Sequence, residues 1–288
     1  MPALPALTAM AGFYSVVSSV LLCLNMPASF GDQRTNGENV MRFFLFFFVV
    51  LVAVPTLVAQ EVDTLINEGL QLEKQGETDA AIGVLQRAAD LAPENPQVTK
   101  LLARQYVLKI EDGTDVTLRK KYAQLAVSLG QKAADKLPND AEAQASLAAS
   151  YGKLCEVVNP KLKIEYSKKI YAEASKAVTL DPNSDFGHMI LGCWNIDMVV
   201  INPFLKGLVQ IVYGQFPPAS KEGGIAHFKR AIELAPQRIV HHAEYAKALD
   251  LLGDRQDADR EWTKVTELKP IYAQDRRYQV QAIERLKR

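Results

Sequence analysis

Small and aliphatic residues recur along the chain in a fixed step: one such residue, then Ala or Val seven positions later, then Pro five positions after that. The step occurs five times, as Ala81/Ala88/Pro93, Ala126/Ala133/Pro138, Ile170/Ala177/Pro182, Gly224/Ala231/Pro236 and Ala258/Val265/Pro270. Seven residues make about two helical turns, so each pair lies on one face of a helix that the proline then stops. In two units a small residue stands twelve positions upstream, Gly69 before Ala81 and Ala246 before Ala258, with Gly76 and Gly253 between, where a left-handed turn residue is wanted. These are helix–turn–helix units of 34 residues. In the three inner units the same interval stretches to 23, 22 and 32 residues, from Ala103 to Ala126, Ala148 to Ile170 and Gly192 to Gly224. The predicted fold is all-α, a right-handed helical-repeat solenoid of about five helix pairs with extended inner hairpins that turn at Glu111 to Asp115 and at Asn159-Pro160. A closing helix is predicted over Gln274 to Arg288, with Tyr278, Ile283 and Leu286 inward.

The pattern resembles the tetratricopeptide repeat, best over residues 62–95 and 239–272, the latter through Tyr245-Ala246, Leu249, Gly253, Ala258, Trp262, Val265 and Pro270. The small residues let helices approach closely, while Leu85, Phe228 or Trp262 fills the space between turns. The largest departure is His188 to Ser220, rich in Trp, Phe, Tyr, Pro and Gly, in which Phe204 to Tyr213 reads as a short amphipathic helix. His188, Leu191-Gly192, Trp194, the run Tyr213 to Ser220, Ala226, His227-Phe228 and Ala231 resemble the regulator of microtubule dynamics family, over about 62–272 and most strongly over 186–272. That resemblance implies helical-repeat interaction proteins, several with an N-terminal hydrophobic anchor, and not enzymes.

The N-terminus differs in kind. Met41-Arg42 opens onto the apolar run Phe43 to Val54, then Pro55 and Val58-Ala59, the layout of a secretory signal peptide. The expected organisation is an extraneous segment over 1–40 with translation starting at Met41, a leader over 41–59, and a helical-repeat body over 60–288. The expected location is exported, periplasmic or secreted. The rival is an uncleaved anchor, since Phe43 to Ala59 is just long enough to cross a bilayer. Cys155 and Cys193 in an exported body invite a disulfide, but their different heights on two helices favour two buried small hydrophobes.

Thirty-three basic residues balance 33 acidic ones, so nothing global attracts nucleic acid or an anionic membrane. No phosphate-cradling glycine loop, HExxH, CxxC or GxSxG motif occurs, so no catalytic residue, metal site or cofactor is assigned. His241-His242 are adjacent on a helix and point about 100° apart, so they do not share one ion. His188 and Asp197, nine residues apart, fall on opposite sides of one helix and do not pair. His188 is expected to hydrogen-bond the backbone of the aromatic segment. The expected function is a scaffold that binds a peptide or helix of a partner protein in a concave groove. The groove candidates are Tyr106, Tyr151 and Asn195, as a row at the first-helix Tyr position, together with His188, Trp194, Tyr213 and Phe216. The alternatives are a structural protein whose groove is filled by its own 199–220 segment, or a membrane-anchored adaptor.

Overall fold

A computed structural model describes residues 36–201, 207 and 214–287, with side chains from Thr56 onward except that of Asp112. The chain divides into two units, Met1–Thr56 and Leu57–Arg288. Eleven helices and no strand occur among the described residues: α1 Asn36–Gln75, α2 Thr78–Leu91, α3 Pro96–Asp112, α4 Val116–Lys136, α5 Ala141–Val157, α6 Pro160–Leu180, α7 Asp185–Val200, α8 Lys221–Leu234, α9 Ile239–Leu252, α10 Arg255–Glu267 and α11 Ala273–Leu286. The second unit is the expected array of five helix pairs, from the C-terminal part of α1 with α2 to α9 with α10, followed by α11. The long inner hairpins turn where polar residues stand, with Asp115 capping α4 and Asn159 capping α6 ahead of Pro160. Residues 1–35 of the 1–40 segment and most of the leader side chains lie outside the described residues, as does the helix expected over Phe204 to Tyr213, Gly207 excepted.

The repeating step has a structural reason at each position. The second member of the pair accepts the bond that ends the helix, through the carbonyls of Ala88, Ala133, Ala177 and Ala231. Two residues beyond the proline, Asn95, Asp140 and Ser184 cap the next helix through their side chains, each satisfying an N–H that the helix leaves orphaned. Six residues beyond it, a polar side chain ties the turn together: Gln144 Nε2 donates to Leu137 O at 3.2 Å, His188 Nε2 to Pro182 O at 3.1 Å, and His242 Nε2 to Pro236 O at 3.1 Å. His188 thus bonds the turn before its own helix, not the aromatic segment. That segment is held instead by Asn195, whose Oδ1 accepts from Ser220 N at 3.3 Å.

Close approach explains the small residues upstream. A side chain at Gly69 would collide with Leu85, and one at Gly192 with Phe228, so the large residue of the second helix sits directly over the glycine of the first. Gly76 is required twice over, by its φ of +83° and because a side chain there would strike Ala273 at the start of α11. The array therefore curls until its last helix meets its first turn. Arg277 Nη2 to Glu111 Oε2 at 2.9 Å ties the same helix to α3.

The first helices form one layer, α3 packing on α5, α5 on α7, α7 on α9 and α9 on α11, with the second helices outside. One feature of α11 differs from the expectation. Tyr278 does face inward, beside Asp275 and Ala282, but Ile283 and Leu286 are 47% and 37% exposed. The reason is helical register: Asp275, Tyr278 and Ala282 share a stripe, and Arg285, bonding Asp250 at 2.5 Å, sets the rotation that turns Ile283 outward. Asp250 also accepts from Trp262 Nε1 at 2.9 Å, which pins the last pair to the closing helix.

Candidate binding groove

The inner layer encloses a groove of about 1040 Å³ walled by α3, the stripe of α5 and α7, the start of α6, and α9, with α11 at one end. Helices α5 and α7 each contribute residues four, three and four apart, which is one face of a helix. On α5 these are Ala145, Ala149, Gly152 and Glu156; on α7 they are Phe186, Ile190, Cys193 and Asp197. Ile164, Met189, Trp194, Met198 and Val240 add apolar wall, so the centre is hydrophobic and the charges ring it.

Two of the seven sequence candidates are in this wall. Trp194 is 3% exposed, gives its Nε1–H to Ser167 O at 2.9 Å and packs its ring 4.5 Å from that of Tyr171, so it is a core wedge with one edge on the groove. Phe216 lies under the Lys168 ammonium, 5.2 Å from its ring centre. Tyr213 lies outside the described residues. The other four lie beneath or behind the wall. Tyr106 stacks on Tyr122 with centroids 5.9 Å apart. Tyr151 is 3% exposed, stacks on Tyr166 and bonds Gln131 through its hydroxyl at 3.0 Å. Asn195 is 6% exposed and bonds Leu191 O at 2.9 Å. With His227 it borders a smaller hollow of about 360 Å³ by Ser220. His188 meets His227 there, Nδ1 to Nδ1, at 2.9 Å. Because His188 Nε2–H donates to Pro182, neutral His188 accepts at Nδ1 and His227 donates. The Tyr row fails to reach the groove because the wall stripe runs through Gly152, one residue and about 100° round the helix from Tyr151.

Charged side chains ring the groove, and cations behind its wall, Lys100, Arg119, Lys247 and Arg277, pair with Glu142, Glu156, Glu244 and Glu111. Nine carboxylates line the groove against four basic side chains. Most of the carboxylates are answered by the chain itself: Glu73 by Arg104 at 2.9 Å, Glu111 by Lys153 at 2.9 Å, and Asp185 by Arg238 at 3.0 Å and by His241 Nε2–H at 2.7 Å. His242, adjacent to His241, pairs instead with Glu261 at 2.7 Å, so the two histidines serve separate bonds. Asp197 has no hydrogen bond or ion pair among the described residues. Open to water through the groove mouth yet ringed by protein, it is pushed up to about 6 by burial and by the neighbouring Glu244.

The same negative field reaches three other groups. Burial, then Glu244 and Asp197, push the Cys193 thiol well up; burial raises the Cys155 thiol to about 11; and burial with Glu244 and Glu111 raises the Tyr278 phenol. Both thiols are free and held protonated, which makes them poor nucleophiles and poor metal ligands. Among the described residues no group of three or more His, Cys, Asp or Glu is placed to hold a metal ion.

The family model described as regulator of microtubule dynamics protein 1-3 matches residues 58–288. No curated protein sequence matches the chain. Among solved structures, the thermophilic tetratricopeptide-repeat protein TTC0263 of Thermus thermophilus superposes with a TM-score of 0.57 at 18% identity, covering 79% of this chain and all of that one. The pilF protein of Pseudomonas aeruginosa gives a TM-score of 0.47 at 16% identity, covering 80% of this chain and 86% of that one. The likeness to the first shows the fold, a tetratricopeptide-type helical repeat.

Proposed function

The chain belongs to the regulator of microtubule dynamics protein 1-3 family, and from that premise we propose that it is a protein-interaction scaffold whose concave groove holds a peptide or helical segment of a partner protein. The observation that carries this reading is the groove itself: about 1040 Å³ of apolar-centred, charge-ringed space running along successive first helices. Helical-repeat arrays bury their core between neighbouring units and leave the inner face free to grip an extended ligand.

A photo-crosslinking residue placed at Gly152, whose added side chain would point into open space, tests the reading against one at the exposed Lys176 of α6. Partner capture from Gly152 and not from Lys176 supports it. Capture from Lys176 alone would overturn it, and crosslinks from Gly152 back into residues 199–220 would favour the alternative of a self-filled, structural groove.

The leader-like segment at 41–59 supports delivery of the body outside the cytoplasm. The second reading is a membrane-anchored adaptor in which the apolar segment 43–59 is retained as an anchor. Among the described residues no helix is long and apolar enough to cross a membrane. Mass spectrometry of the N-terminus of the protein recovered from cells separates the two, a start near Gln60 indicating export with cleavage and a start at or before Met41 indicating an anchor.

A further inference from the structure

We propose that the groove selects a basic, amphipathic helical segment of its partner, with Asp197 and the adjacent Glu244 receiving a Lys or Arg side chain. This rests on the reading of the groove as a peptide site and names the chemistry of the peptide.

Two independent observations carry it. The first is the shape of the wall: the α5 and α7 stripes present Ala149, Gly152, Ile190 and Cys193 as a shallow apolar track, which suits the apolar face of a helix laid into a groove. The second is charge. Lining carboxylates exceed lining basic groups by nine to four, and the chain supplies partners for the others it brings close while leaving Asp197 alone. Glu244 is only partly answered, by Lys247 at 2.8 Å from its own helix and by the Tyr278 hydroxyl at 3.4 Å. A carboxylate left unpaired beside a second carboxylate is unfavourable until a cation arrives. Burial is the main cause that raises Cys193, Tyr278 and Asp197, and Glu244 adds to it at all three. An acidic or neutral helix would leave the field uncompensated, and an acidic one would add repulsion.

The test uses the purified full chain and three fluorescein-labelled amphipathic peptides of identical apolar face whose polar face carries Lys, Gln or Glu, with binding followed by anisotropy. The Lys peptide is expected to bind at least about tenfold more tightly than the Gln peptide, and the Glu peptide weakest. Asp197→Asn should lower affinity for the Lys peptide about tenfold and leave that for the Gln peptide unchanged, and Asp197→Lys should reverse the preference towards the Glu peptide. Gly152→Leu, which fills open space in the groove, should weaken the Lys and Gln peptides alike. Thermal melts of each variant confirm folding. If Gly152→Leu abolishes binding but the Lys and Gln peptides bind wild type equally and Asp197→Asn changes nothing, the groove reading survives and the cation inference falls. If the Lys peptide does not bind, the inference falls outright, and if it binds undisturbed by Gly152→Leu, the groove reading falls with it.

Discussion

Asp185 and Asp197 stand twelve residues apart on α7, both in the groove wall, and the protein treats them in opposite ways. Asp185 opens the helix, where the dipole already favours a negative charge, and it accepts from Arg238 and His241. Burial opposes its charge, but the His241 bond and Arg238 outweigh it and hold the carboxyl well below the usual range. Asp197 lies near the C-terminal end of the same helix, where a negative charge meets the wrong end of the dipole, with Glu244 as its charged neighbour. A carboxylate answered by its own chain is part of the framework. One left unanswered lowers stability, and such a residue is where a fold exposes a functional requirement.

The largest effect should come from breaking the framework carboxylate. Asp185→Ala removes the acceptor of a fully buried His241 N–H and of the Arg238 guanidinium, and leaving such donors unanswered should destabilise by about 2–3 kcal/mol. Urea unfolding followed by circular dichroism measures it. A loss smaller than about 0.5 kcal/mol, the range of an ordinary surface change, would mean that Asp185 is no framework residue and that the contrast with Asp197 is empty.

The contrast also separates what the sequence displays from what it conceals. The second helices were legible because their small residues answer a local demand, two helix faces in contact and a proline after them, and this repeats with fixed spacing. The glycines at 76 and 253 were legible for the same reason, and their φ values of +83° and +77° are the left-handed ones the turns require. The groove was harder to read, because its wall is defined by rotation about each first helix. A one-residue error turns a side chain by about 100°, enough to exchange Tyr151 for Gly152 or Asn195 for Trp194 in the wall. Asp197 posed a different difficulty. Its spacing from His188 sets the two on opposite sides of the helix, and its importance comes from lacking partners, which no spacing along a sequence displays. A signal was present in the stripe Phe186, Ile190, Cys193, Asp197, whose helical period ends in a charge and matches Ala145, Ala149, Gly152, Glu156 on α5.

A smaller effect, and a sharper one, lies in pH. His241 Nε2–H bonds Asp185 while its Nδ1 is buried without a partner, so a second proton on this ring would have no acceptor. Burial accordingly lowers its pKa from 6.5, against the pull of Asp185 and together with Arg238 and His242. The folded state thus favours the neutral ring, and the unfolded chain takes up the proton first. Stability from this group is complete above pH 6.5 and falls as the pH drops from there through the folded-state value. Asp185 contributes no slope in that window, since its pKa is displaced further below its ordinary 3.8. The slope amounts to at most one proton, about 1.4 kcal/mol per pH unit. Between about pH 7.5 and 5, acidification should cost the wild type more stability, read from urea midpoints, than it costs His241→Gln, which keeps a donor for Asp185 but does not titrate; the comparison cancels His227, whose pKa burial also lowers, and Asp197, whose shift has the opposite sign. An identical pH dependence in the two proteins would place the acid sensitivity elsewhere.

Asp197 has the opposite sign, and this makes it the finest test of the comparison. Its folded-state pKa, about 6, stands above its ordinary 3.8, so here the fold is the state that holds the proton more tightly. The stability linked to this group is complete below pH 3.8 and is lost as the pH rises through 6. At neutral pH the ionised carboxylate is therefore a burden, and Asp197→Asn should raise the melting temperature. Because water reaches the group through the groove mouth, the gain is discounted to about 1 kcal/mol or less. It should be largest near about pH 7.5, shrink through pH 6 and vanish by about pH 4. A substitution in a groove wall that stabilises the protein while weakening its hold on a cationic ligand is the signature of a charge retained for binding. If Asp197→Asn instead lowers the melting temperature at neutral pH, Asp197 has a partner within the fold and belongs with Asp185.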